Sequence, residues 1–144
     1  MAVEFALVAP LLLLLVFGVI TFGYGYFEQQ GANAAAREGA RLAAVGVTSC
    51  GTWPSPASST WLGHVKGAAT GVDNIQKPTL QINEMADSAD PSTLGPGDEA
   101  VVTIPYTVPL GLLGIIPGFP ASLSLTATAK ARVEGVSAAG ITSC

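Results

Sequence analysis

Twenty-three consecutive residues, Phe5 to Phe27, carry no charge, and the run is bounded by Glu4 and Glu28. As a helix at roughly 1.5 Å per residue it extends about 34 Å, enough to cross a hydrocarbon core of about 30 Å. A segment of this kind must be covered by lipid or by other apolar helices, and the rest of the fold has to accommodate it. No Lys or Arg precedes the run, whereas an ordinary signal-anchor carries basic residues there. The expectation is a processed N-terminus from which a basic leader has been removed.

The helix should continue well beyond the apolar run, to about residue 47. Gly31-Ala32-Asn33-Ala34-Ala35-Ala36-Arg37-Glu38-Gly39-Ala40-Arg41-Leu42-Ala43-Ala44-Val45 is alanine-rich, and alanine has the highest helix propensity. Small side chains there also let another backbone approach closely. Leu42 and Val45 are expected to pack on a head domain, with Arg37, Glu38 and Arg41 in water. Pro10 removes a backbone bond to residue 6, so a kink or local unwinding is expected. Gly18, Gly23 and Gly25 make the middle of the helix narrow and bendable. The chain therefore divides into a helix over residues 1–47 and a head over 48–144, which is long enough for one small domain.

In the head, the Gly and Pro content suits strands and turns. Ser58-Ser59-Thr60 offers N-caps for a short helix at about 59–70, with Trp61, Leu62, Val65 and Ala69 on one face. Three strands follow. Thr79–Asn83 alternates apolar and polar residues. Glu99–Val108 sets Val102, Ile104, Tyr106 and Val108 against Val101, Thr103, Pro105 and Thr107. Ser122–Glu134 carries the clearest two-residue period, with Leu123, Leu125, Ala127, Ala129, Ala131 and Val133 on one face. Pro105 should make its own end of the middle strand an edge or a bulge. The fold class is α+β: a long N-terminal helix with three antiparallel strands and one short helix.

Cys50 and Cys144 are the two cysteines. If the head is exported, an oxidising compartment favours a disulfide between them over two free thiols. No spacing suits zinc, and no cofactor or metal is expected. Asp87, Asp90, Asp98 and Glu99 read as a solvated turn rather than a calcium site, because their spacing is not that of an EF-hand. His64, the one histidine, reads as a surface or packed residue. A net charge of −4 with no basic stripe argues against nucleic acid.

The string Met1-Ala2-Val3-Glu4-Phe5-Ala6-Leu7-Val8-Ala9-Pro10-Leu11-Leu12-Leu13-Leu14-Leu15-Val16-Phe17-Gly18 is very similar to the start of TadE-like proteins. These are pilin-related proteins of tight-adherence (Flp-type) pilus systems, within the wider type IV pilin superfamily. Ala35-Ala36-Arg37-Glu38-Gly39-Ala40-Arg41 resembles them too. So do Pro96-Gly97-Asp98 before Val101–Ile104, and the tail from Leu125 to Glu134. The resemblance implies a precursor whose basic leader is cut after a glycine by a prepilin-type peptidase. The product then waits in the cytoplasmic membrane and assembles through its helix. The superfamily glutamate stands fifth after the cut. Here it falls on Glu4, so either one leading residue is missing or maturation is shifted by one.

These readings converge on a structural subunit, not an enzyme. The chain is expected to polymerise with copies of itself into an extracellular pilus, working with the prepilin peptidase and an inner-membrane assembly platform. The residues expected to carry assembly are Met1, Glu4, Phe5, Pro10, Leu11, Leu14, Phe17, Gly18 and Phe22. The α-amino group of Met1, from the same chain or a neighbour, would pair with Glu4 and penalise misaligned helices. Tyr24, Tyr26 and Phe27 read as an aromatic belt at the outer interface. An apolar stretch at Leu112, Leu113, Ile115, Ile116 and Phe119 is expected to contact a neighbouring subunit. A low-copy minor pseudopilin and a monomeric membrane-anchored binding module are the alternatives.

Overall fold

The structure is a computed structural model that describes residues 2–46, 49–83, 97–111, 118, 120–133 and 144. Helix α1 runs Ala2–Val45 and helix α2 Trp61–Ala68. Strands β1 (Thr79–Asn83), β2 (Glu99–Pro109) and β3 (Ser122–Arg132) form one antiparallel sheet in the order β1-β2-β3. The expected α+β fold, a long helix carrying a small three-stranded sheet and one short helix, is what forms.

The upper half of α1 is part of the head's core. Glu28, Ala32, Ala35, Ala36, Gly39, Ala40 and Ala43 are buried, and their spacing of three and four residues puts them on one helix face. Small side chains bring the helix axis close to its neighbours. A Cβ at Gly39 would stand 2.9 Å from Val65 Cγ2 and 3.3 Å from Val102 Cγ1. Against this face pack Val102, Ile104, Tyr106 and Val108 of β2 and Trp61, Leu62 and Val65 of α2, all buried. Burying one such aliphatic side chain contributes about 1.5–3 kcal/mol.

Helix α2 is held at its start. Thr60 is the N-cap and its hydroxyl accepts from the Gly63 N–H at 3.2 Å. The next two free donors, Trp61 N–H and Leu62 N–H, go to the carbonyls of Ser49 and Cys50 at 2.9 and 3.0 Å. All three are groups that a helix end leaves without partners of its own. Cys50 forms a disulfide with Cys144 across 94 residues, tying the last residue to the segment that leaves α1.

Several sequence expectations need correction. α1 stays helical through Pro10, so of the two expectations the local unwinding does not occur. The helix stops at Val45 rather than 47. Gly46 takes φ 90°, and its N–H bonds the carbonyls of Leu42 and Ala43 at 3.2 Å, a left-handed glycine termination. Val45 is exposed instead of packing on the head, while Leu42 is half-buried against the core. Asp98 is buried, not solvated. It sits where the turn rejoins the sheet, and its carbonyl accepts from Val133 N–H at 2.9 Å.

Pro105 lies in the central strand, opposite Thr126 of β3. Its missing donor falls on the other side, beyond Thr79, where β1 has not yet begun to pair. There its carbonyl accepts from the Gln76 N–H at 2.9 Å. The strand is central and stays covered there, since Ile75 bridges Tyr106 and the Thr107 N–H donates to the Asn74 carbonyl. Pro105 sits at a one-residue shift of register between the two pairings, a bulge rather than an edge.

Candidate functional site

The part of α1 that carries no head is the candidate site. It is long and apolar enough to cross a membrane, and none of its most apolar 18-residue window is buried within the chain. Leu11, Leu14, Gly18 and Phe22 are spaced by three, four and four residues and share one face. Leu11 and Leu14 are exposed, and Phe22 is 77% exposed. Phe5, Pro10 and Phe17 are exposed on the same segment, and Gly18 is half-buried. The structure thus distributes the expected assembly residues along one bare stem. Of these, Gly18 and Phe22 line a groove where the stem meets the head. Glu4 is exposed near the start of α1. Met1, its expected pairing partner, lies outside the described residues.

Where the stem meets the head there is an apolar groove of about 380 Å³. Gly18, Thr21, Phe22, Gly25, Tyr26 and Gln29 line it from α1, and Val108, Leu110, Leu123 and Leu125 from the sheet. The sheet lies against Gly25 at ordinary packing distance, since a Cβ there would stand 3.5 Å from Val108 Cγ1. The Thr21 hydroxyl donates to the Phe17 carbonyl at 2.8 Å, so it is satisfied inside the helix. Tyr24, Tyr26 and Phe27 are exposed around this level.

Glu28, the first residue past the uncharged run, is completely buried, and neither carboxylate oxygen has a hydrogen-bond partner. The Tyr24 hydroxyl beside it donates to Asp73 at 3.3 Å. Burial pushes the Glu28 carboxyl above its ordinary pKa; the nearby Tyr24 hydroxyl partly offsets this, and the negative charge of Asp73 adds to it. In the sequence alone Glu28 marks only the end of the apolar run. The available signal was its register, four residues before Ala32 and seven before Ala35, on the face that the small residues bury.

The other candidates are distributed as follows. Leu112, Leu113, Ile115, Ile116 and Phe119 lie outside the described residues, as do Asp87 and Asp90. Glu99 pairs with Lys130 at 3.0 Å, and among the described residues no three His, Cys, Asp or Glu side chains are grouped to hold a metal. His64 is exposed on α2. Arg41 and Glu38 pair with each other at 2.7 Å on the outer face of α1, and Arg37 is exposed.

A family model described as TadE-like protein matches residues 1–41, the stem and most of the alanine-rich face above it. No curated protein and no solved structure gives a match. Over this segment the chain is similar to TadE-like proteins. Together with the bare apolar stem, the likeness supports association with a membrane.

Proposed function

We propose that this chain is a structural pilin subunit that polymerises through α1 into an extracellular Tad-type pilus. The observation that carries the reading is the stem. A membrane-length apolar helix protrudes from a compact head with its most apolar window wholly unburied. In the membrane, lipid covers that surface; in a filament, the stems of other copies cover it. Exchanging lipid for protein contacts costs little hydrophobic free energy, so packing of side chains and polar matching decide the equilibrium.

In this account the prepilin peptidase releases the mature subunit and an inner-membrane platform gathers subunits for assembly. Glu4 pairs with the α-amino group of its own or a neighbouring chain and fixes the axial register. The apolar stretch 110–119 contacts the next head; deleting it should abolish filaments while leaving membrane insertion. The test is shearing of surface appendages, electron microscopy of the fibres, and identification of their subunits by mass spectrometry. The chain should be a main constituent. Its absence from every sheared fibre overturns the proposal.

A further inference from the structure

The groove sits lower on the stem than a head standing clear of a membrane would allow. A hydrocarbon core takes about 20 helical residues, and the run between Glu4 and Glu28 offers 23. For an upright helix the head-side boundary of the core therefore falls between Tyr24 and Phe27, and a tilted helix would move it no lower. Gly18, Thr21 and Phe22, on the groove floor, are then inside the core in every placement. The sheet residues that line the groove with them are Val108, Leu110, Leu123 and Leu125.

We propose that, while the subunit is membrane-anchored, the end of β2 and the start of β3 enter the head-side leaflet and lipid acyl chains fill this groove. The inference rests on the reading that the stem spans a bilayer. Gly18 lies six residues below Tyr24, about 9 Å at 1.5 Å per residue. That matches the roughly 5–10 Å to which interfacial amphipathic segments bury their apolar faces.

The chemistry of this region suits hydrocarbon. Val108, Leu110, Leu123 and Leu125 are all aliphatic, and Leu123 is 46% exposed. Thr21 brings no free hydroxyl, because the Phe17 carbonyl accepts its proton. Backbone groups at membrane depth need partners, and here Val108 pairs with Leu123 and Leu110 N–H donates to the Ala121 carbonyl at 3.0 Å. Pro109 has no N–H to satisfy. Tyr26 and Gln29, the polar-tipped residues, lie at the rim nearer the head, where the interface begins. Acyl chains are the occupant because this level of α1 lies in hydrocarbon whenever a single subunit is anchored.

The test places a tryptophan reporter in the full-length chain, in phosphatidylcholine nanodiscs holding one copy each, with acyl-chain-brominated lipid as quencher. Leu123→Trp is compared with Thr128→Trp, which is exposed about 17 Å farther along β3 at 3.4 Å per residue. Leu14→Trp reports on the stem, and the unsubstituted chain gives the background of Trp53 and Trp61. Leu14→Trp and Leu123→Trp should be quenched at least twofold more than Thr128→Trp. If Leu14→Trp is quenched while Leu123→Trp behaves like Thr128→Trp, the leaflet contact is wrong and the span stands. If Leu14→Trp is not quenched, the span itself is wrong and this inference falls with it. Should Leu123→Trp fail to fold, Leu110→Trp carries the same readout.

Discussion

The indole N–H of Trp61 donates to the main-chain carbonyl of Gly39 at 2.9 Å, joining residues 22 apart in a buried contact. It fastens α2 to the middle of the alanine-rich face of α1, where the helix has no side chain to hold its neighbour away. The head is built on this close approach. Gly39→Ala should therefore destabilise the fold, although alanine gains about 1 kcal/mol in helix propensity, because the added Cβ would stand 2.9 Å from Val65 Cγ2. Trp61→Phe keeps most of the apolar volume and loses the hydrogen bond, at a cost of about 1–2 kcal/mol. Thermal unfolding of both variants checks the pair. An unchanged midpoint for Gly39→Ala would show that the contact is slack.

Glu28 gives the fold a pH dependence. Its carboxyl is raised in the folded chain, chiefly by burial, so folding favours the protonated form. As pH rises above the ordinary value of 4.5, the unfolded chain ionises first and stability falls until the folded carboxyl also ionises. Glu28→Gln removes the charge that must be desolvated. It should raise the unfolding midpoint at pH 7–8 and flatten the loss of stability that sets in as pH rises above 4.5. A glutamine variant with an unchanged pH profile would contradict this assignment.

The Cys50–Cys144 bridge closes a span of 94 residues. In the chain-entropy view, a loop of that length is worth about 4–5 kcal/mol, often less in practice. Cys144→Ser should lower the unfolding midpoint clearly while leaving the helix content at neutral pH near that of the parent, as read by circular dichroism.

Much of this architecture was legible because its signals are local. The charge-free run, the alanine stretch, the Thr60 cap and the alternation of β3 each depend on a few neighbouring residues. What was missed depends on contacts made at a distance. Glu28 reads as a polar boundary until the register of Ala32, Ala35 and Gly39 carries it beneath Tyr106 and Asp73. Asp98 reads as turn chemistry until the sheet closes over it. Val45 looks like a core residue, but the buried face ends two residues earlier, at Ala43, and Gly46 turns the chain away. The groove was out of reach for the same reason. Gly18 and Gly25 read as flexibility in the stem, and only the packed sheet shows that they line a groove with Val108 and Leu123.

Glu4→Ala tests the register role at the foot of the stem. The variant should insert into membranes as the parent does and yield several-fold fewer or misordered filaments, scored by electron microscopy alongside membrane fractionation. Normal filament yield and order would remove Glu4 from the assembly account.

The central claim is that the bare stem exchanges lipid for the stems of its own copies. The most direct measurement is to purify the intact chain in mild detergent, withdraw the detergent slowly, and follow the product by sedimentation and electron microscopy. The account predicts filaments or ordered bundles with heads outermost. They should be lost when Leu14→Arg places a charge on the stem face. Dispersed single subunits under all conditions of detergent removal would contradict it.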